Sequence, residues 1–185
     1  MGKKKRRLRT AEGRPSSPFD RVKKWMVPLL IVFTVLVYLT GLKGPFLWDD
    51  EVLVQSNPVI RDTSHIGTIF SQGLFGEKLS RGVFFRPLQP LSYILDYHLW
   101  GLNPTGYHVG SLVLHVLSTV LLFLVLRRLG FLDWFSFLVA LIFGIHPVGI
   151  ECVTYISGRN DALFMMFGLL SFWLFLKGAS GKWGW

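Results

Sequence analysis

The hydrophobic positions of this 185-residue chain fall into long blocks, not into the short alternating runs of a soluble sheet protein. The first block, Trp25 to Leu42, has 18 residues and no charged side chain, which is enough to cross the hydrocarbon core of a bilayer. The second, Tyr107 to Leu126, has 20 residues without Asp, Glu, Lys or Arg. The pattern therefore predicts transmembrane helices over 25–42 and 107–126.

Two further apolar blocks follow at 134–150, with Pro147 near its end, and at 162–176. The last block has only 15 residues, fewer than the roughly 20 that a span needs, so its helix is expected to borrow from Ser157–Asp161. The sequence thus predicts an all-α integral membrane protein with about four transmembrane helices. The short last block also predicts that the chain is the N-terminal portion of a longer protein.

The segment 43–106 differs in composition from the apolar blocks. It is too polar to span a membrane and too rich in aromatic residues to be a linker, with Phe84, Phe85, Tyr93, Tyr97 and Trp100. Aromatic residues mixed with polar ones are typical of amphipathic helices at a bilayer surface. We predict a long loop that carries short interfacial helices.

Charge assigns a side of the membrane to each of these segments. The net charge is +9, and the head 1–24 holds ten Lys and Arg against two acids, so it carries +8 of that total. Clustered basic residues mark the cytoplasmic side. Arg127–Arg128 and the pair Lys177 and Lys182 then fall on the same side as the head. The loops 43–106 and 151–161 fall outside.

The basic head has two possible partners. A run such as KKKRRLR occurs in nucleic-acid-binding proteins, but here no basic surface with interleaved aromatics follows it. Anionic membrane lipids are the expected contact and nucleic acid is not. The only cysteine, Cys152, excludes an intramolecular disulfide and a cysteine-based metal site.

The first outer loop opens with three consecutive carboxylates, Asp49, Asp50 and Glu51, directly after Trp48. Neighbouring carboxylates repel each other unless a cation lies between them, which suits them to act as a general base or to hold a divalent ion. The alternative is a solvated loop that caps a helix. The residues alone leave both interpretations open, and with them the need for a metal.

Basic and imidazole side chains recur near the predicted membrane surface. Arg86 follows Phe85, and a guanidinium pairs well with phosphate or carboxylate, although it can also reach toward lipid headgroups. His108 and His115 are seven residues apart, so they share a helix face and point to the protein interior, as functional groups or as polar interhelical contacts. They lack the local spacing of a zinc site. The second outer loop brings His146, Glu151, Arg159 and Asp161 to the side of Asp49. Together with Asp49, these four residues predict either a single functional site or a structural salt-bridge cluster.

Three ordered motifs resemble one known family. The runs FLWDDEVLVQSNPVI, FFRPLQPLSYILDYHLWGLNPTGYHVGSLVLH and HPVGIECVTYISGRNDALF are similar to the N-terminal membrane part of the transmembrane and tetratricopeptide-repeat-containing O-mannosyltransferases and their bacterial relatives. Those proteins are C-fold glycosyltransferases that use a lipid-linked sugar. The resemblance covers about Phe46 to Phe175.

The resemblance implies a function and a set of residues. The function is transfer of a sugar such as mannose from a polyprenyl-phosphate carrier to a protein or glycan hydroxyl, on the non-cytoplasmic face. Asp49 and Asp50 would form the catalytic acidic motif, with Asp50 preferred as the base. The substrate-binding residues would be Glu51, Arg86, His108, His146, Glu151, Arg159 and Asp161, with His115 also matching a family position.

Family members continue with more membrane helices and a helical-repeat domain, so this chain alone is expected to be inactive. The alternatives are a non-catalytic truncated protein or assembly partner, and a transporter of the same lipid carrier. A bacterial inner membrane is expected over the endoplasmic reticulum.

Overall fold

The computed structural model describes residues 18–72 and 85–179, with side chains from residue 24 onward. All regular secondary structure in these two ranges is helical, which confirms the all-α prediction. The α-helices are α1 Pro18–Tyr38, α2 Ile66–Gln72, α3 Leu88–Trp100, α4 Pro104–Arg128, α5 Asp133–Ile145, α6 Ile150–Thr154 and α7 Arg159–Ala179. Single turns of 3-10 helix cover Leu39–Lys43, Pro58–Arg61, Thr63–His65, Pro147–Gly149 and Ile156–Gly158, and a π-helix covers Glu51–Gln55.

Three helical segments are long and apolar enough to cross a membrane: Lys24–Lys43, Pro104–Arg128 and Ile156–Ala179. A fourth candidate is bent by 48° between Asp133–Ile145 and Pro147–Thr154. The bend follows from Pro147, because the residue before a proline is disfavoured in the helical conformation and His146 is extended, with φ −67° and ψ 136°. Within the described ranges the chain therefore has three or four candidate spanning helices, consistent with an all-α membrane protein.

Helix α4 lies at the centre of the bundle and packs against α1, α5, α6 and α7. Its start is fixed by Asn103, whose side chain accepts a hydrogen bond from the Thr105 N–H. A glycine allows close approach of α1, α4 and α5, because a Cβ on Gly144 would lie 2.5 Å from Thr34 Oγ1 and 2.8 Å from Thr119 Cγ2. Met26 and Leu30 extend the packing of α1 against α4 and α5 toward the start of α1.

The described parts of segment 43–106, residues 43–72 and 85–106, pack around a hydrophobic cluster that they share with neighbouring elements. Its buried members come from the loop, from α3, from the start of α4 and from the turn before α7: Leu53, Val54, Ile60, Ile69, Tyr93, Ile94, Tyr107 and Ile156. This cluster fixes the acidic motif against one end of the bundle, which we call the motif end. The other end carries Arg127 and Arg128. Residues 1–17, 73–84 and 180–185, with most of the basic head, Phe84 and Lys182, lie outside the described residues.

Candidate functional site

The acidic motif begins with a backbone conformation that is rare for its residue type. Trp48 has φ +46°, in the left-handed region that bulky side chains seldom adopt. Asp49 and Asp50 follow as the first turn of a helix. As a result the two carboxylates face opposite environments: Asp50 is fully buried, whereas Asp49 is exposed.

Asp50 is surrounded by hydrogen-bond donors of the protein itself. Its Oδ1 accepts bonds from the Ser157 N–H at 2.8 Å and the Ser157 hydroxyl at 2.5 Å. Its Oδ2 accepts a bond from the Leu47 N–H at 3.0 Å. Asp50 thereby ties the acidic motif to the turn Ile156–Gly158, more than a hundred residues along the chain.

Asp49 lies beside Tyr155, which precedes the same turn. Burial, together with the neighbouring Asp49 carboxylate, raises the pKa of the Tyr155 hydroxyl. The Tyr155 ring also meets Trp48 edge to face, with 5.8 Å between ring centroids. The Asp49 carboxylate thus lies beside this aromatic pair and stays open to a substrate. Glu51, the third acid of the motif, is exposed at the start of the π-helix.

Arg86 lies in a groove of about 420 Å³ between the segment before α3 and one face of α7. We call this the Arg86 groove. Its lining comprises Phe85, Arg86, Pro87 and Leu88, and from α7 Asn160, Leu163, Phe164, Phe167, Gly168 and Ser171. The α7 residues recur at helical spacing, so the groove follows that helix with an apolar wall. Arg86 itself is exposed.

The turn before α7 connects the Arg86 groove to the acidic motif. Gln89, three residues after Arg86, donates from Nε2 to the Ser157 carbonyl at 2.8 Å. The Tyr93 hydroxyl donates to the Ile156 carbonyl at 2.8 Å. Because Ser157 also binds Asp50, α3 and the acidic motif are fixed on one short segment. The same segment continues into Asn160, which lines the groove.

Arg159, predicted to bind substrate, is buried and faces away from both features. Its guanidinium pairs with Asp96 and donates to the Tyr107 carbonyl, and its Nε donates to the Ser111 hydroxyl at 3.0 Å. It also lies over the Tyr93 ring, 5.0 Å from its centroid. Burial raises the pKa of Asp96, and the charge of Arg159 opposes that effect. This arrangement positions α3 and α4 against α7.

Asp96 lies in the second of the three quoted runs, but it was not among the residues singled out there. It is the one acid of α3. The one available sign was an isolated acid on an apolar helix, which needs a cation when it is buried.

The two histidines of α4 make interhelical contacts. His108 is fully buried, and its ring nitrogens lie 3.1 Å from the Gly44 carbonyl and 3.3 Å from the Val153 carbonyl. His115 Nε2 lies 3.1 Å from the Gly144 carbonyl. Of the two interpretations that the sequence left open, the structure favours the structural one.

Two of the remaining predicted residues, His146 and Asp161, line a second cavity, of about 650 Å³, between α5 and α7. We call this the α5–α7 cavity. It is lined by His115, Ser118, Leu122, Val139, Ile142, Phe143, His146, Val148, Gly149, Cys152, Asp161, Ala162 and Met165. His146 and Asp161 are exposed at its motif end, and Glu151 is exposed nearby on α6. Of the candidate residues, Arg86 therefore lines the groove, whereas His115, His146 and Asp161 line a cavity on a different face of α7.

The donor set of the acidic motif fits a metal poorly. Both Asp50 oxygens already accept hydrogen bonds, which leaves Asp49 as the open carboxylate of the Asp pair. Within residues 18–72 and 85–179, no group of three His, Cys, Asp or Glu side chains has an arrangement that could hold a metal ion.

The chain is similar to several protein O-mannosyl-transferases of animals. It is 29% identical to F38B6.6 of Caenorhabditis elegans over 155 residues, which cover 80% of this chain and 22% of the relative. It is 32% identical to human TMTC4 over 75% of this chain and 21% of the relative. It is also 32% identical to mouse TMTC1 over 86% of this chain and 18% of the relative.

These similarities confirm the predicted relation to the N-terminal part of the O-mannosyltransferase family. The chain spans about a fifth of the length of these relatives. No family model matches it, and no solved structure matches it. Because the relatives come from animals, they give no support to the predicted bacterial inner membrane.

Proposed function

We propose that this chain, a relative of the N-terminal part of the protein O-mannosyl-transferases, forms part of a membrane glycosyltransferase. The enzyme would move a sugar from a polyprenyl-phosphate carrier to a hydroxyl of a protein or glycan acceptor. One observation carries the proposal. Two features lie against the same short segment, Tyr155–Asn160: the apolar groove that contains the Arg86 guanidinium, and the exposed Asp49 carboxylate.

The Arg86 groove suits the carrier because its two parts match the two parts of a lipid phosphate. The apolar face of α7, with Phe164 and Phe167, would receive the hydrocarbon chain. Arg86 would donate hydrogen bonds to the phosphate oxygens, and the planar guanidinium can do so in a bidentate manner. A lipid-borne donor would reach this site from within the bilayer.

Asp49 is the carboxylate that we assign as general base. It is exposed and lies beside Tyr155, whereas both oxygens of Asp50 are occupied by Ser157 and Leu47. A base must reach the proton that it removes, so accessibility decides between the two. Asp50 becomes a positioning residue, which reverses the preference drawn from the sequence.

The reaction would be a single displacement. The acceptor oxygen attacks the anomeric carbon of the sugar while its proton passes to the Asp49 carboxylate. The bond between that carbon and the carrier's phosphate oxygen breaks, and its electron pair leaves with the phosphate. Arg86 would stabilise the charge that develops there. One displacement inverts the anomeric centre.

The motif end of the bundle would lie on the non-cytoplasmic face, with the N-terminus in the cytoplasm. Arg127 and Arg128 support this orientation because they close α4 at the opposite end, where the positive-inside rule places the cytoplasm.

The function of Arg86 can be tested by the dependence of transfer on donor concentration. The assay uses this chain, and a chimera in which it replaces the matching N-terminal part of a relative. Arg86→Ala should raise the KM for the polyprenyl-phosphate donor by roughly 10- to 100-fold, because it removes hydrogen bonds to a charged group. Arg86→Lys, which keeps the charge but not the planar fork, should fall in between.

Arg61→Ala is the matched control, because Arg61 is another exposed arginine of the same loop that bonds the Gln55 carbonyl at 2.7 Å. It should leave the donor KM unchanged. An Arg86→Ala protein with normal donor KM would show that Arg86 serves lipid headgroups and not the donor.

A further inference from the structure

The α5–α7 cavity is separate from the Arg86 groove, and its chemistry differs. The two are lined by different residues of α7: Leu163, Phe164 and Phe167 face the groove, whereas Ala162 and Met165 face the cavity. The walls of the cavity come from helices that are long and apolar enough to span the membrane, or from the bent pair. A ligand that enters it would come from the bilayer.

The charge of the cavity excludes a lipid phosphate. Asp161 is its one carboxylate, and no Lys or Arg is among the described residues that line it. A phosphate beside Asp161 would meet a like charge without a Lys or Arg to compensate it, which is unfavourable. The Arg86 groove, in contrast, contains the positive charge of Arg86.

The polar groups at the motif end of the cavity fit a hydroxyl group. His146 Nδ1 accepts a hydrogen bond from the Val148 N–H at 3.2 Å, so a neutral ring carries its proton on Nε2 and can donate from there. The Asp161 carboxylate, which has only a long 3.4 Å contact with Asn160, can accept. A hydroxyl both donates and accepts, so it can satisfy both side chains.

The body of the cavity fits a hydrocarbon. Leu122, Val139, Ile142 and Met165 form its walls, and its volume of about 650 Å³ lies within the ~300–1,000 Å³ of ligand pockets. Deeper polar groups are largely engaged: Ser118 donates to the Leu114 carbonyl at 2.9 Å, and His115 Nε2 contacts the Gly144 carbonyl. The side chains that can bind a polar group of the ligand are thus concentrated at the motif end of the cavity.

We propose that the α5–α7 cavity binds a neutral lipid alcohol, with its hydrocarbon body between α5 and α7 and its hydroxyl between His146 and Asp161. The ligand class is a long apolar body that ends in one uncharged hydroxyl. An isoprenoid alcohol and a sterol both have this chemistry. The inference does not depend on glycosyl transfer.

Photolabelling of the purified chain in lipid nanodiscs tests the proposal. The probes are a farnesol analogue with a diazirine in its chain, the phosphate monoester of the same analogue, and a photoreactive sterol. The farnesol or the sterol probe should label peptides of α5 or α7, and excess unlabelled alcohol should suppress that label. The phosphate ester should label these peptides roughly tenfold less, because of the charge of Asp161.

Two neighbouring methionines provide matched variants. Met165 lines the cavity and Met166 lines neither cavity. Met165→Trp should fill the space and reduce labelling by roughly tenfold, whereas Met166→Trp should leave it unchanged. Ala162→Leu is a smaller filling variant, for use if Met165→Trp does not yield a monodisperse helical protein. Asp161→Asn should raise labelling by the phosphate ester.

Three results would overturn the proposal. The first is labelling by neither alcohol. The second is equal labelling of these peptides by alcohol and phosphate ester in the unmodified chain. The third is labelling that persists undiminished in the filling variant. Because the readout is binding alone, the outcome is independent of whether the chain takes part in sugar transfer.

Discussion

Asp49 and Asp50 are identical in chemistry and adjacent in sequence, yet the structure gives them different environments. The sequence could predict an acidic motif after the first span, because three carboxylates in a row are conspicuous. It could not predict which carboxylate is buried. That depends on the left-handed backbone at Trp48 and on Ser157, more than a hundred residues further along.

Replacement of each aspartate by asparagine should separate the two roles. Asp50→Asn puts an amide N–H₂ where a carboxylate oxygen now accepts a backbone N–H, so it should lower the free energy of unfolding by about 1–3 kcal/mol. Asp49→Asn changes an exposed group and should stay within about 0.5 kcal/mol of the unmodified protein. Thermal unfolding in detergent measures both, and equal stability of the two variants would refute the assignment of Asp50 as a positioning residue.

Arg159 is a second residue whose environment could not be predicted locally. Its partner Asp96 is 63 residues away, and nothing in the sequence around either residue indicates the other. Arg159 was expected at a substrate site because it shares a loop with other candidate residues and matches a family position, and a structural salt bridge was the alternative. Packing of α3 against α7 decides otherwise.

Arg159→Met should be severely destabilising, by about 3–5 kcal/mol, because it leaves a buried carboxylate without its cation. Adding Asp96→Leu should recover at least half of the loss, since apolar pairs of similar volume often replace buried ion pairs at little cost. The measurement is again the unfolding transition. A double variant no more stable than Arg159→Met would mean that the Arg159 bonds to Tyr107 and Ser111 outweigh the ion pair.

At the scale of the helices, hydrophobic periodicity indicated most of the architecture. Helix α4 covers the predicted 107–126, and α7 begins at Arg159, so it includes part of the segment that the short fourth block was expected to borrow. The bend at His146–Pro147 could be suspected from the proline, but its 48° angle depends on packing. The packing of loop 43–106 was less visible, because its core is drawn from α3, α4 and the turn before α7.

Close packing of the helices makes a specific glycine critical. Gly144→Ala would bring a Cβ into contact with Thr34 and Thr119, so α1, α4 and α5 must separate, at a cost of about 1–3 kcal/mol. Gly178→Ala is the control, because a Cβ there meets nothing within 4 Å and alanine favours a helix. Chemical denaturation in detergent compares the two, and Gly144→Ala with unchanged stability would contradict the described contact of three helices.

At the scale of the whole molecule, the acidic motif and the polar ends of the two cavities lie at one end of the bundle, and the paired arginines of α4 lie at the other. This polarity is what the positive-inside rule uses, and it could be read from the sequence. The sequence could not predict that candidate residues lie on two faces of α7, because a loop sequence does not say on which side of a helix each side chain lies.

Cysteine labelling in sealed membranes of known sidedness tests the topology. In a Cys152→Ala background, Ser64→Cys should react with a membrane-impermeant maleimide from the non-cytoplasmic side. Phe131→Cys, in the exposed turn between α4 and α5, should react only after permeabilisation or from the cytoplasmic side. The reverse pattern would invert the proposed orientation and place the acidic motif in the cytoplasm.

The rate of sugar transfer by Asp49→Asn, in the chimera with a relative, tests whether Asp49 is the general base. A general base contributes about 10²–10⁴ in rate, so the variant should lose that factor in kcat while the donor KM, membrane insertion and unfolding temperature stay normal. Asp62→Asn is the control, because Asp62 is an exposed carboxylate of the same loop that caps a short turn through Ser64, and it should transfer sugar normally. An Asp49→Asn protein with near-normal turnover would contradict the account and leave the acidic motif as a structural cap.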